Sequence, residues 1–182
     1  FKHSISCFEL HNRYFRSAVI HLAFIRDIVE AHLRPRRVMS RLLHMGQRED
    51  RAFAMLMGGC IILFMAQWPF RARQAHLNGE TLTDYIQHDA LGIIFLLPLI
   101  AYGLAALVRL VSRLFNAKAD YYSARLSFFW ALLASSPTLV LAGMVKGFIG
   151  LGTANSIVGA LWMVVFLWVL VNSLLEAEQC VL

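Results

Sequence analysis

The residue types that could bind a metal or act as nucleophiles are present as seven histidines and three cysteines. They are His3, His11, His21, His32, His44, His76 and His88, with Cys7, Cys60 and Cys180. The histidines form neither an HExxH motif nor another ligand spacing with a matching carboxylate or thiol, and the cysteines form no CxxC pair. No histidine lies inside a long apolar run, where it could be an axial haem ligand. We therefore expect no metal site, no haem and no disulfide framework.

Ionisable residues are missing from the longest apolar stretches of the sequence. Four runs of 19, 19, 20 and 19 residues contain no Asp, Glu, Lys or Arg: Ala52 to Phe70, Ala90 to Val108, Leu126 to Val145 and Ile157 to Leu175. A charge at the centre of a membrane helix costs about 2.5 to 3.5 kcal/mol and usually marks a function, so its absence argues against a proton relay or an ion-coupled pump. The sequence also has no nucleophile elbow, no Gly-rich phosphate loop and no polar stretch large enough for a catalytic domain. We expect no enzymatic activity and no cofactor.

A small polar cluster, Ser135, Ser136 and Pro137, lies within the third run. Proline removes one backbone donor from a helix, and neighbouring hydroxyl groups can bond to the carbonyls that a kink frees. One interpretation is a kinked helix whose polar groups are satisfied locally. The other is a polar pocket at the middle of the membrane, formed by Ser135 and Ser136, that binds a lipid or quinone headgroup.

Gly143 and Gly147 form a small-xxx-small pair at the end of the third run. Glycines at this spacing allow two helix backbones to approach closely. The pair predicts helix packing within the chain or, alternatively, self-association or docking onto another membrane protein.

Four arginines lie close to Pro35, ahead of the first apolar run: Arg34, Arg36, Arg37 and Arg41. A basic side chain near a membrane surface gains about 1 kcal/mol from anionic lipids. The segment around these arginines is also amphipathic, which is typical of helices that lie in the headgroup plane. We therefore predict that the four arginines anchor this segment to lipid headgroups.

The residues before Pro35 have the periodicity of an amphipathic helix over residues 5–33. Its apolar stripe includes Phe8, Phe15, Val19, Leu22 and Ile25. Neighbours in this stripe are three, four or seven residues apart, so they share one helix face. Left in water, large apolar side chains would each forgo about 1.5 to 3 kcal/mol. We expect lipid at the membrane interface or a helix of a partner protein to cover the stripe.

Each of the four apolar runs is long enough to cross a membrane, since about 20 helical residues span the ~30 Å hydrocarbon core. A chain of 182 residues that is 59% hydrophobic and 15% charged has too little polar sequence to cover four such helices in water. We predict an all-α membrane protein, a four-span transmembrane helical bundle with an N-terminal amphipathic interfacial helix. Its parts would be a basic cytoplasmic or interfacial segment (1–51), the transmembrane domain (52–175) and a short cytoplasmic tail (176–182).

The distribution of basic residues predicts the orientation in the membrane. Ten Lys and Arg residues precede the first run and four more lie in the loop of residues 109–125. Four spans place these 14 on one side together with the tail, against three on the other side. By the positive-inside rule, the first side is cytoplasmic and both termini face it. The formal charge of +6 is thus explained by topology and anionic lipids, and we expect no nucleic-acid partner.

Two segments resemble bacterial membrane proteins of the Yip family, the Ypt/Rab-interacting proteins. Residues 32–69, HLRPRRVMSRLLHMGQREDRAFAMLMGGCIILFMAQWP, have a short helix and a Pro-Arg-Arg stretch before the first span. Residues 124–150, ARLSFFWALLASSPTLVLAGMVKGFIG, resemble the central segment of the family, with Trp130 and Pro137. The resemblance covers about residues 25–175 and implies a protein of the bacterial cytoplasmic membrane without enzymatic activity. Family members often have five spans, whereas four are found in this sequence.

These features predict a non-catalytic accessory or organising component that binds lipids and other membrane proteins or a second copy of itself. One alternative is a stable accessory subunit of a larger bioenergetic membrane complex, which would co-purify with that complex. The other is a subunit of a small-molecule transporter or channel. A transporter would need a continuous polar face within the spans, and the sequence provides hardly any.

Overall fold

The structure, a computed structural model, describes residues 26–114 and 120–179, and these residues form helices joined by short turns. Helix α1 is described over residues 26–33. The helices that follow are α2 (Pro35–His44), α3 (Glu49–Asn78), α4 (Leu82–Leu91), a π-helical turn (Gly92–Leu96), α5 (Leu97–Leu114), α6 (Tyr121–Ala134), α7 (Ser136–Phe148) and α8 (Thr153–Gln179). The described part of the chain is thus all-helical, as the apolar runs predict.

Three helical segments are long and apolar enough to cross a membrane: Glu49–Asn78, Gly92–Leu114 and Thr153–Gln179. A fourth crossing is formed if α6 and α7, which meet at a bend of 45°, count as one broken span. The structure therefore has three to four candidate spans. The four predicted runs correspond to these segments in chain order.

The first span extends well beyond the apolar run that predicts it. Helix α3 begins at Glu49, where the carboxylates of Glu49 and Asp50 face the positive end of the helix dipole. It ends at Gly79, whose φ of +70° is the left-handed conformation that glycine adopts readily. Because Asn78 and Gly79 supply this stop, α3 continues eight residues past Phe70.

The third span is broken at the predicted kink. Pro137 lies in the first turn of α7, where backbone N–H groups have no partner within the helix, so its missing N–H costs no intrahelical hydrogen bond. Ser135 Oγ donates a hydrogen bond to the carbonyl oxygen of Leu132, 3.1 Å away. The proline and this hydroxyl bond together explain why one apolar run forms two helices.

Helix α3 runs parallel to α6 and α7. Gly58 lies beside Leu133, and eight residues further along α3 Ala66 lies beside Gly143. Contacts that advance in the same direction along both segments define parallel helices. Parallel first and third spans are what a chain crossing a membrane in alternating directions requires.

Helix α6 is the centre of the bundle, packed against α3, α5 and α8. Its largest side chains are buried, with Phe129 and Trp130 at most 1% exposed. Phe129 meets Tyr102 of α5, with ring centroids 5.0 Å apart, and Phe128 meets Phe166 of α8 at 5.6 Å. An aromatic layer therefore joins three spans.

The starts of α3 and α6 lie together with the ends of α5 and α8. Tyr122 of α6 bonds to Arg48 next to α3, while Arg109 of α5 lies over the Tyr121 ring, 5.5 Å from its centroid. At the same end, Arg36 of α2 bonds to Asn172 of α8. We call this the basic end of the bundle, and the end near Phe70 and Phe148 the opposite end.

Candidate functional site

The basic end holds ten of the thirteen described arginine and lysine residues. They are Arg26, Arg34, Arg36, Arg37, Arg41, Arg48, Arg51, Arg109, Arg113 and Arg125. The other three, Arg71, Arg73 and Lys146, lie at the opposite end. This separation is the asymmetry on which the predicted orientation depends. The two ends are placed by the contacts of the bundle, whereas the side of the membrane that each end faces stays a prediction.

The N-terminal half of α2 and the last turns of α8 enclose an arginine-lined cleft of about 460 Å³. We call it the arginine cleft; it is lined by Leu33, Arg34, Pro35, Arg36, Arg37, Trp168 and Asn172. Its arginines are exposed, and the Trp168 side chain next to them is 55% exposed. The cleft therefore presents cationic and aromatic groups to its surroundings at one place.

Helix α2 is oriented by its apolar face. Pro35, Val38, Met39 and Leu42 are buried and follow the three- and four-residue spacing of one helix face. Val38 and Met39 have no exposed surface. Packing this face against the bundle turns the arginines outward.

A polar contact between α2 and α8 fixes one side of the cleft. Arg36 Nε donates a hydrogen bond to Asn172 Oδ1 at 3.2 Å, and Asn172 Nδ2 donates to the Trp168 carbonyl at 2.8 Å. Asn172 is thus held in one orientation by its own helix while it accepts from the arginine. The sequence shows Asn172 as a polar residue within the fourth run, but its role depends on a contact between residues 136 positions apart.

The start of α2 adds partial positive charge to the cleft. The positive end of the helix dipole favours anions. The dipole carries this argument for α2, because Pro35 has no N–H and the Arg37 N–H bonds to the Arg34 carbonyl at 3.2 Å. In the described residues, no side chain caps α2 at its N-terminus. Arg34 precedes Pro35 there with φ of −141° and ψ of 62°, so α1 and α2 are separate helices, as expected before proline.

Arg41 lies apart from the other predicted headgroup ligands. Its Nη2 forms ion pairs with Asp27 at 3.0 Å and Glu30 at 2.8 Å, both on α1. The hydrogen bond from Arg41 lowers the pKa of the Glu30 carboxyl below its usual value, and the positive charges of Arg41, Arg26 and Arg37 act in the same direction against the effect of desolvation. The structure thus brings together Arg34, Arg36 and Arg37 and places Arg41 in an α1–α2 contact.

The turn between α2 and α3 is tied to the start of α6. Tyr122 Oη accepts a hydrogen bond from the Arg48 N–H at 3.0 Å and donates one to the Arg48 carbonyl at 3.2 Å. Gln47 Nε2 donates to Asp120 Oδ2 at 3.2 Å, and Arg125 contacts Glu49. These bonds hold the turn that follows α2, and the first residue of α3, against the start of α6. Their partners are distant in sequence, so no local pattern predicts them.

The glycine pair lies inside the chain, between α7 and α3. A Cβ atom on Gly143 would stand 2.0 Å from the Ala66 carbonyl oxygen, and one on Gly147 would stand 2.4 Å from Pro69 Cβ. Both distances are far below van der Waals contact. In the described structure these glycines therefore serve packing within the chain.

Ser135 and Ser136 are both buried at the α6–α7 bend, at 0% and 4% exposure. The hydroxyl of Ser135 bonds locally to the Leu132 carbonyl. Neither serine lines the arginine cleft. These placements fit the interpretation of a locally satisfied kink, and the headgroup pocket stays a prediction.

Two further predictions concern the N-terminal apolar stripe and metal binding. The stripe of Phe8, Phe15, Val19, Leu22 and Ile25 lies outside the described residues. Among residues 26–114 and 120–179, no group of three or more His, Cys, Asp or Glu residues is arranged to hold a metal ion.

Compared with protein-family models, with curated proteins and with solved structures, the chain gives no match in any of the three. The resemblance to the Yip family therefore stays a prediction.

Proposed function

We propose that this chain is a non-catalytic, multi-pass protein of a bacterial cytoplasmic membrane that binds anionic lipid at its basic end. It acts there as an accessory or organising component for other membrane proteins, in the manner that the resemblance to the Yip family implies. The observation that carries the proposal is the arginine cleft, in which Arg34, Arg36 and Arg37 surround the start of α2.

The chemistry of the cleft fits a lipid phosphate. Guanidinium groups bind phosphate oxygens with paired, charge-assisted hydrogen bonds, and the positive end of the α2 dipole also favours an anion. Within the described residues, the guanidinium groups of Arg34 and Arg37 form no hydrogen bond or ion pair, so they are available to a ligand. Trp168 suits the membrane interface, where an indole places its ring among lipid headgroups.

The partner half of the proposal is supported by how little of two spans the bundle buries. The most apolar windows of Gly92–Leu114 and Thr153–Gln179 are each 17% buried, against 28% for Glu49–Asn78. Large side chains such as Phe95 and Leu99 are at least 70% exposed. These faces contact lipid, another membrane protein or a second copy of the chain. A stable subunit of a bioenergetic complex would use the same faces, and mild detergent extraction followed by identification of stoichiometric neighbours distinguishes it.

The lipid half is tested by replacing Arg34, Arg36 and Arg37 with Gln. At about 1 kcal/mol per arginine, the triple variant should bind phosphatidylglycerol about 100-fold more weakly. Native mass spectrometry of the full chain in mild detergent, titrated with this lipid, gives the dissociation constant. Binding by the original chain should also weaken with salt.

A matched control removes the same charge at the same end outside the cleft. Arg26, Arg48 and Arg113 are exposed there, and their triple Gln variant should lose much less affinity. Equal losses in the two triple variants would show that net charge alone attracts the lipid and would contradict a cleft site.

The orientation is tested with cysteines introduced at Asn78 and Ala117, in a chain whose own cysteines are replaced by Ser. If the basic end is cytoplasmic, a membrane-impermeant thiol reagent added outside whole cells should label Asn78→Cys. Ala117→Cys should react after the membrane is opened. Labelling of Ala117→Cys alone in intact cells would reverse the proposed topology.

A further inference from the structure

A second cavity at the basic end has a different character from the arginine cleft. It is a groove of about 640 Å³ between the end of α2, the first half of α3 and α6. Its walls are apolar, with Leu42, Met45, Met55, Gly58, Ile62 and Leu133 among the lining residues. We call it the apolar groove.

The groove opens at a mouth that carries both signs of charge. Asp27 and Arg51 line it there. Arg51 is held in place because it donates hydrogen bonds to the carbonyls of Leu42 at 3.2 Å and Met45 at 3.4 Å. Asp27 is paired with Arg41. With one acidic and one basic residue, the mouth is polar, but unlike the arginine cleft it does not attract anions.

The length of the groove matches one leaflet of a membrane. From Arg51 to Ile62, α3 rises about 16 Å, at 1.5 Å per residue. Half of a ~30 Å hydrocarbon core is about 15 Å. Arg51 immediately precedes the apolar run of α3, so the mouth lies at the level of the headgroups and the walls lie within the leaflet.

Glycine keeps the floor of the groove open between two helices. A Cβ on Gly58 would lie 3.5 Å from Leu133 Cδ1, in ordinary contact, so a longer side chain there would project into the space between α3 and α6. Ala54 and Ile61 border the groove and are exposed, so the cavity is open on the side that faces the membrane.

We propose that the apolar groove holds one acyl chain of a phospholipid from the leaflet at the basic end, with its glycerophosphate at the mouth. An acyl chain fits the apolar walls and the length of about one leaflet, and a glycerophosphate group fits the polar mouth. The inference rests on the membrane setting of α3 and not on the arginine cleft. The groove selects by shape and burial, so binding there should be insensitive to salt.

The full chain is tested in vesicles of phosphatidylcholine and phosphatidylglycerol that contain a phosphatidylcholine with a diazirine in the middle of one acyl chain. After irradiation, mass spectrometry locates the cross-linked residues. Cross-links should concentrate on the groove residues of α3 at both low and high salt. They should exceed those on Leu104 and Leu107 of α5, which are about as exposed as Ile61 and more exposed than Met55.

Filling the groove gives a second readout. Ala54→Trp should lower cross-linking of the groove about tenfold, equivalent to about 1.4 kcal/mol in binding. Ala106→Trp places the same side chain on the exposed face of α5 and should leave groove cross-linking unchanged. If Ala54→Trp does not fold, Ile61→Trp serves the same purpose. The distribution of cross-links in the original chain also tests the proposal without any variant.

Groove labelling no higher than on α5 would overturn the proposal. So would protein cross-links from a photoreactive residue at position 54 to residues 1–25 or to a second copy, since either would identify a different occupant. Loss of salt-sensitive phosphatidylglycerol binding in the Arg34, Arg36 and Arg37 variant tests the arginine cleft separately. The two sites can therefore fail independently.

Discussion

The two ends of the bundle carry the same kinds of cationic side chain and use them differently. At the opposite end, Lys146 Nζ lies 4.0 Å from the centroid of the Phe70 ring, and Arg73 Nη1 donates to the Phe148 carbonyl at 3.4 Å. These cations are engaged in closing α7 onto α3. In the arginine cleft, Arg34 and Arg37 face outward without such partners among the described residues.

Helix packing differs between the ends in the same way. At the opposite end, Gly143 and Gly147 bring α7 into backbone contact with α3, and Arg73 packs directly over Gly150. At the basic end, α2 is inserted beside α8 and the start of α3, and two cavities of about 460 and 640 Å³ lie there. A cavity of only about 110 Å³ lies beside Gly143 and Lys146, towards the opposite end. Lys146 and Arg73 thus hold α7 against α3 where the backbones meet closely, whereas Arg34 and Arg37 beside α2 are available to a ligand.

The largest expected effect is on the close contact at the opposite end. Gly143→Ala adds a Cβ 2.0 Å from the Ala66 carbonyl oxygen, so the helices must separate. Overpacking of this kind costs about 1 to 3 kcal/mol of stability. Thermal unfolding of the purified chain in detergent should show a clear loss in melting temperature.

Gly103→Ala is the matched control for that substitution. A Cβ on Gly103 of α5 meets nothing within 4 Å, and alanine is the better helix former by about 0.5 to 1 kcal/mol. It should leave stability unchanged or raise it. An equal loss in both variants would mean that the close α3–α7 contact has no special importance.

Smaller effects should distinguish Arg73, which contacts α7, from Arg37, which lines the arginine cleft. Arg73→Gln weakens the hydrogen bond to the Phe148 carbonyl and should lower the free energy of unfolding by about 1 kcal/mol. Arg37→Gln should change it by less than about 0.5 kcal/mol, as is usual for exposed positions. The same Arg37→Gln variant should bind phosphatidylglycerol about fivefold more weakly, from the loss of about 1 kcal/mol of headgroup attraction.

The comparison is reversed if Arg73→Gln weakens lipid binding and Arg37→Gln weakens folding. Denaturant unfolding and the lipid titration are therefore measured on both variants. A loss of stability without loss of lipid binding for Arg37→Gln would show that this residue has a structural role in α2.

Much of the fold could be predicted because membrane helices leave a simple signal. The four apolar runs, the kink at Pro137 and the helix break at Pro35 depend on local chemistry, and each lies where a sequence rule places it. The apolar run does not predict the extension of α3 from Phe70 to Asn78. Residues 71–78 are mostly polar, and a helix continues through such sequence until a residue such as Gly79 ends it.

The candidate site could be predicted only in part. The arginines around Pro35 stand out in the sequence, but the separation of Arg41 from the other three depends on where Asp27 and Glu30 lie. Asn172 and Trp168 enter the cleft from α8, more than 130 residues away. Hydrophobic periodicity reports which residues face inward, and it does not report which helices meet.

The smallest expected effect concerns the α1–α2 contact through Arg41. Because the hydrogen bond from Arg41 depresses the pKa of Glu30, ionised Glu30 stabilises the folded contact above the ordinary carboxyl pKa. That contribution is lost as pH falls through the depressed value. Hydrogen exchange of the α1 amides, measured from neutral to acidic pH, should therefore show protection that declines in acid.

Glu30→Gln removes the titrating group and keeps the size of the side chain. Its α1 amides should exchange faster than those of the original chain at neutral pH, and the decline in protection with acid should be smaller than in the original chain. Arg41→Gln should reduce the acid-dependent step most, since Glu30 loses the hydrogen bond that contributes most to its lowered pKa. If the acid-dependent loss of protection were unchanged in Arg41→Gln, Arg41 would not be held by α1. Arg41 would then belong with the arginines that are available to lipid.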